Sequence, residues 1–358
     1  MIIENAKGIL AVNLGGIGDI LLSTPALRAL RQAYPTAFIA LLVHQGCYEL
    51  ARDLVYLDRI YVLHIADKGC NPLTRPFLNA KMLYALRMRH FDAAINMRTI
   101  ASPRGARRIR RLFAFIGPRV KVGRDTDGRG GFFDIKVPER LSGDMFEMEY
   151  DIATARAVGA ETLDRHVDFI IDTDSVQRVR LLLNEAGVVA NPELVGIHIG
   201  GKPSHQWPPG QFREVMRKIH SQVPCTFVIT GEAADRAHAR ALVRTKGIPV
   251  VNLAGRLSIR ELGALIRMCR LYISNDTAPM HIAAILKVPL VAIFGPGYLK
   301  RFDPRCISDK AIVLYRGAEC APCDARICLR KKCLTAISPD EVTEAVLALL
   351  RREPGGLS

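Results

Sequence analysis

Four groups of residues in this sequence have the types and spacing for chemistry. The first is Gly15-Gly16-Ile17-Gly18-Asp19, just after the apolar run Ile9–Val12. Glycines at a strand-to-helix turn let backbone approach a ligand, and the N–H groups at the start of a helix favour an anion. Asp19 has two readings: it caps the helix, or it stands at the end of a strand as a base for a bound hydroxyl. With glycines at 15, 16 and 18 the segment is not G-x-G-x-x-G, and no Gly-Lys-Ser/Thr follows to make a P-loop.

The second group is Asn275-Asp276-Thr277-Ala278-Pro279-Met280-His281, where another strand passes into a helix. Free N–H groups near Thr277 and Ala278 suit a diphosphate, and His281, one turn in, suits a phosphate or ribose oxygen. The plainer reading has Asp276 as helix cap and His281 as a core residue. The third group, Gly200-Gly201-Lys202-Pro203-Ser204-His205-Gln206-Trp207, also follows a strand. Lys202 and His205 are phosphate partners or solvated surface. Trp207, the single tryptophan, reads as a packing anchor before a ligand stacker. The fourth group is Cys320, Cys323, Cys328 and Cys333 among lysines and arginines. Thiolates beside Arg326, Arg330, Lys331 and Lys332 ionise more easily. A closed structural zinc or iron site is one reading, and disulfides or free thiols are the others. The x4 spacings are not those of a standard zinc finger.

These residues need elements to position them. Short apolar runs at 9–12, 38–43, 60–63 and 93–96 predict strands separated by helices. Residues 103–116 predict a basic amphipathic helix, and the glycine-rich 123–134 a loop. The alternation restarts near 194, with strands predicted at 194–199, 225–230, 250–253, 271–274 and 289–294. Ser258-x-x-Glu261 and Ser338-Pro339-x-Glu341 open helices. Strands alternating with helices make parallel sheets. The reading is α/β, two doubly wound domains, 1–185 and 186–358, with a cleft between them expected to take substrate.

Composition limits the alternatives. The chain has 358 residues, 49% apolar and 24% charged, enough for two cores. No apolar run approaches a membrane span, and the first residues do not read as a signal peptide, so cytoplasmic is the expectation. The net charge is +15. Residues 87–129 carry 12 Lys/Arg against 3 Asp/Glu, and 287–332 carry 10 against 4, so two basic segments hold the excess. They imply an anionic partner: a phosphate-bearing substrate, an anionic membrane surface or nucleic acid. Nucleic acid ranks last, with no helix-turn-helix, RNP or zinc-finger pattern and only 6% aromatics.

As a set the motifs resemble glycosyltransferase family 9, the ADP-heptose–lipopolysaccharide heptosyltransferases. ILAVNLGGIGDILLSTPALRALRQAYP is similar to the opening of that family. VGIHIGGKPSHQWPPGQF, VVNLAGRLSIRELGALI and NDTAPMHIAAILKVPLVAIFGP resemble its later blocks, in order, and CAPCDARICLRKKC its cysteine tail. The resemblance implies a GT-B architecture, two Rossmann-like domains with parallel sheets facing across a cleft, and an inverting, metal-independent transfer of heptose from ADP-heptose to a lipopolysaccharide inner-core sugar. It implies Asp19 as catalytic base and Asp276 and His281 as donor-binding residues. Glu232 falls on a carboxylate that meets the donor nucleoside. Gly18, Gly200, Gly201, Lys202, His205, Thr277 and Ala278 complete the donor set. Arg98, Arg104, Arg107, Arg108 and Arg124 fall on the acceptor side, suited to an anionic core presented at the inner leaflet by a peripheral enzyme. His205 stands where the family often has Lys, and Ala278 where it often has Gly. A nucleotide-sugar dehydrogenase or epimerase would need the fingerprint absent from the first turn. A non-catalytic anionic-surface binder would leave the turn motifs without a role. Transfer of another activated sugar to a protein or small molecule stays open.

Overall fold

The computed structural model describes residues 3, 6–66, 71–188, 193–323, 325 and 327–352. The chain forms two compact units, Met1–Asp168 and Phe169–Ser358. In the first, the described residues give six strands: β1 (Gly8–Val12), β2 (Phe38–His44), β3 (Arg59–Leu63), β4 (Ala93–Asn96), β5 (Val120–Thr126) and β6 (Ile135–Glu139). They pair in parallel in the order β3-β2-β1-β4-β5-β6. β1 and β4 are buried along their whole length, as expected of strands covered on both faces. One layer of the core joins Leu10, Val12, Leu42, Ala94, Phe113 and Phe133. On this sheet the helix Ile17–Ala33 packs along the helix Glu147–Arg156.

The second unit repeats the plan. Its described strands are β7 (Leu194–His198), β8 (Thr226–Thr230), β9 (Val250–Asn252), β10 (Leu271–Asn275), β11 (Leu290–Phe294) and β12 (Ala311–Tyr315). They pair in parallel in the order β12-β11-β10-β7-β8-β9. The expected capping box forms: Glu261 accepts from the Ser258 N–H at 2.6 Å and Ser258 Oγ from the Glu261 N–H at 3.3 Å. Trp207 is an anchor, buried edge-on to Phe212, with its indole N–H donating to the carbonyls of Leu334 (3.1 Å) and Ile337 (3.3 Å).

Two expectations are corrected. The boundary falls after residue 168, not 185, because segment 169–185 belongs to the second core. Phe169 lies where a Cβ on Gly263 would be, 2.1 Å from its ring. Asp172 caps the helix Thr173–Glu185 and pairs with Arg260 at 2.9 Å. The 123–134 stretch is not all loop, since Gly123 to Thr126 complete β5. Gly123 is required there by packing: the Phe133 ring would sit 2.4 Å from a Cβ. No described helix is long and apolar enough to cross a membrane.

Candidate active site

In an open parallel sheet, ligands bind beyond the carboxyl ends of the strands where strand order reverses. That point lies between β1 and β4 in the first sheet and between β7 and β10 in the second. All four loops at these points carry residues named above.

In the first unit, the Asn13–Gly16 turn is built by Asn13. Its side-chain oxygen accepts from the Gly15 N–H at 3.0 Å, and its amide donates to the Asp19 carbonyl at 3.2 Å. Asp19 lies in the first turn of the helix Ile17–Ala33, beside the half-buried Gly18, and its Oδ2 accepts from the Gly16 N–H at 2.7 Å. Capping therefore uses one carboxylate oxygen. The other, Oδ1, pairs with the Arg98 guanidinium from the loop after β4. Gly15 makes room for this pair: a Cβ there would lie 2.6 Å from Asp19 Oδ2 and 2.7 Å from Arg98 Nη1. Arg98, read from sequence as an acceptor residue, is thus also the partner of Asp19, a contact with no sequence signal.

Arg104, Arg107 and Arg108 lie exposed on the helix Pro103–Ile116. Arg124 is corrected. It is fully buried, donating to Glu147 at 2.6 Å and Glu139 at 3.2 Å and pairing with Asp151, with Tyr150 5.2 Å from its guanidinium. It cannot meet an acceptor, because three carboxylates occupy its charge in the interior. Burial pushes the Asp151 carboxyl well above the ordinary range, with the Glu147 and Asp19 charges adding and Arg124 opposing. One Arg for three carboxylates leaves surplus negative charge, which a retained proton relieves.

In the second unit, Asn275 ties the two switch-point loops together. Its oxygen accepts from the Trp207 N–H at 3.1 Å and its amide donates to the Gly200 carbonyl at 3.0 Å. Gly201 is left-handed (φ +117°), and a Cβ there would meet Thr277 at 3.5 Å. The helix Ala278–Ile285 has Thr277, not Asp276, as its cap residue. Asp276 Oδ2 lies 3.7 Å from His205 Nε2, and a Cβ on Gly297 would come within 2.3 Å of the same oxygen. Burial raises the Asp276 carboxyl to about 7, against the pull of the Lys202 ammonium. His281 is buried, its ring 6.1 Å from that of Phe302.

The turn after β8 reaches the same edge. Glu232 is exposed and its N–H donates to Asp235 at 2.8 Å. Asp235 accepts from Gln206 at 3.0 Å, and its Oδ2 would lie 2.7 Å from a Cβ on Gly200. Arg236, Arg240, Asn252, Ala254 and Arg256 line a basic recess nearby. The roles of Gln206, Asp235 and Asn275 had no sequence signal because they act on partners distant along the chain, whereas Asn13 acts on Gly15 and Asp19 close by and is passed over in the sequence as part of a turn.

The cysteine segment is a strap on this unit. The Cys323 N–H donates to the Pro296 carbonyl at 2.8 Å, and Lys331 Nζ donates to the Gln206 carbonyl at 2.9 Å. Cys333 is buried in the core, while Cys320 is exposed. Among the described residues no three His, Cys, Asp or Glu side chains are gathered to hold a metal ion. Cys320 and Cys323 lie close enough to Cys333 for their charges to act on it, and hydrogen bonds and core packing tie the strap to the unit. Arg326, expected beside these thiols, lies outside the described residues.

Two doubly wound parallel sheets with loaded switch points define a GT-B protein. The family model of glycosyltransferase family 9 (heptosyltransferase) matches residues 80–334, and the chain belongs to that family. It is a transferase of the heptosyltransferase kind. It is 25% identical to lipopolysaccharide heptosyltransferase 3 of Escherichia coli over 289 residues, 78% of this chain and 80% of that protein. Its fold is similar to a family 9 glycosyl transferase from Veillonella parvula (TM-score 0.78, 21% identity, 97% and 98% of the two chains). It is also similar to E. coli ADP-heptose lps heptosyltransferase II (TM-score 0.73, 21% identity, 96% and 99%).

Proposed function

We propose that this enzyme transfers heptose from ADP-heptose to a hydroxyl of the lipopolysaccharide inner core, with inversion and with Asp19 as general base. The observation that carries the reading is the Asp19 carboxylate at the switch point of the first sheet, oriented by Gly16 and Arg98. The heptosyltransferase relatives, one of them an ADP-heptose enzyme by name, support the donor and acceptor classes. The acceptor oxygen attacks the anomeric carbon as the bond to the ADP oxygen breaks, and its proton passes to Asp19. Attack opposite the leaving group inverts the centre. Charge grows on the diphosphate, where the N–H groups at Thr277 and Ala278 with Lys202, His205 and His281 offset it. Gly200 and Gly201 allow close backbone approach, Asp276 orients the donor, and Glu232 meets the nucleoside. Arg98, Arg104, Arg107 and Arg108 serve an anionic acceptor at the inner face of the cytoplasmic membrane. The leaving group is stabilised by cations and N–H groups of the chain itself, so transfer needs no metal ion.

The test is Asp19→Asn, assayed with ADP-heptose and a core acceptor. Transfer falls by about 10² to 10⁴-fold while ADP binding, measured by calorimetry, is kept. Undiminished transfer overturns the base assignment. A parent enzyme that ignores ADP-heptose but uses another nucleotide sugar overturns the donor.

A further inference from the structure

The helix Arg75–Met88 has two apolar sides. Met82 and Leu86 are buried in the first unit. On the opposite side Phe77, Lys81, Tyr84 and Met88 follow at four, three and four residues, one stripe of a helix. Its apolar members are 72%, 64% and 54% exposed, and Leu73, just before the helix, is 86% exposed. Single exposed apolar residues are normal on any surface, but an aligned stripe is not. The helix Pro103–Ile116 carries Arg104, Arg108, Arg111 and Phe115 at the same spacing. The two helices meet at their carboxyl ends: Arg87 donates to the Phe115 carbonyl at 2.6 Å, its guanidinium 5.8 Å from the Phe115 ring. Neither helix contains an Asp or Glu.

We propose that these two helices form a docking surface for an anionic phospholipid bilayer. The Phe77–Tyr84–Met88 stripe enters the boundary between headgroups and acyl chains, and the arginine stripe lies on the headgroup phosphates. An apolar stripe beside a purely cationic one is the pattern of a helix lying in a membrane interface. Lys81 fits it, its apolar stem lying along the stripe and its ammonium at the headgroups. A second copy is a poor occupant, since the same cationic face would meet itself without one carboxylate. Nucleic acid would leave the aliphatic members without a role. The proposal rests on the lipopolysaccharide reading for its purpose but not for its test.

The test is co-sedimentation of the full chain with vesicles, without donor or acceptor. The protein binds vesicles of phosphatidylethanolamine with roughly one-third phosphatidylglycerol, less so in high salt, and does not bind phosphatidylcholine vesicles. Arg104→Gln/Arg108→Gln/Arg111→Gln lowers partitioning on the order of 100-fold. Phe77→Ser/Tyr84→Ser/Met88→Ser lowers it at least about tenfold, while transfer to a deacylated, water-soluble acceptor stays at the parent rate. Should the triple serine variant melt early, Phe77→Ser alone carries the same readout in smaller measure. Four results each overturn the proposal: no binding to the anionic vesicles, equal binding to phosphatidylcholine, serine variants that bind like the parent, or self-association of the parent that the serine changes abolish. Absent vesicle binding leaves the transfer reading intact, because that reading stands on Asp19 and on turnover.

Discussion

Asp276 places a nearly buried carboxyl beside His205 and Gly297, and its chemistry is testable without substrate. Burial lifts it from an ordinary 3.8 to about 7, so the folded protein binds a proton there that the unfolded chain has lost. Stability from this group is full below about pH 4 and declines as pH rises through about 7, by about 1.4 kcal/mol per pH unit across that window. Asp276→Asn cannot ionise and lacks the decline. Urea unfolding of both proteins at several pH values from 5 to 7.5 shows the difference, and parallel stability curves would remove the raised carboxyl. In the proposed reading the same proton reduces repulsion toward the donor diphosphate. At Asp19 the residue type and its place after a strand were readable, but its partnership with Arg98 was not, since that loop lies some eighty residues further along the chain.

Among the elements, β5 shows how packing overrides local pattern. Its glycine and charged residues read as loop, yet Gly123 admits the Phe133 ring and Arg124 turns inward to Glu139, Glu147 and Asp151. A buried ion cluster that loses one partner strands the others. Arg124→Gln therefore costs about 3–5 kcal/mol of stability at neutral pH, read as a lowered midpoint in urea, with no direct effect on donor affinity. A variant as stable as the parent would mean that the carboxylates are satisfied without the guanidinium. By contrast, the helices opened by Ser258 and Ser338 follow from their capping residues, because Ser and Glu three apart bond to each other's backbone.

At the scale of the whole molecule, the excess charge is segregated rather than spread. The basic helix and its neighbour lie on the first unit, while the slightly exposed Asp276 and the buried His281 belong to the second. Exposed charges are screened by salt and buried ones much less. Raising salt from about 0.05 to 0.5 M, a range that shortens the screening length several-fold, should raise the acceptor KM clearly and change ADP affinity little. A donor affinity that collapses first would place the exposed arginines on the donor side.

What the residues alone determined is the repeating strand–helix pattern, two domains, the turns that carry Asp19, Lys202, Asp276 and His281, and the resemblance to family 9. These follow from local rules: apolar periodicity, glycine at turns and capping chemistry act over a few residues and leave their mark in order along the chain. What only the tertiary structure decided is which turns share a switch point, that Arg98 faces Asp19, that Arg124 is interior, that residues 169–185 join the second core, and that the cysteine strap closes on Pro296 and Gln206. Each of these joins residues far apart in sequence. The side chain's own type says it needs a partner, and only the packing of sheets and helices says which one it meets.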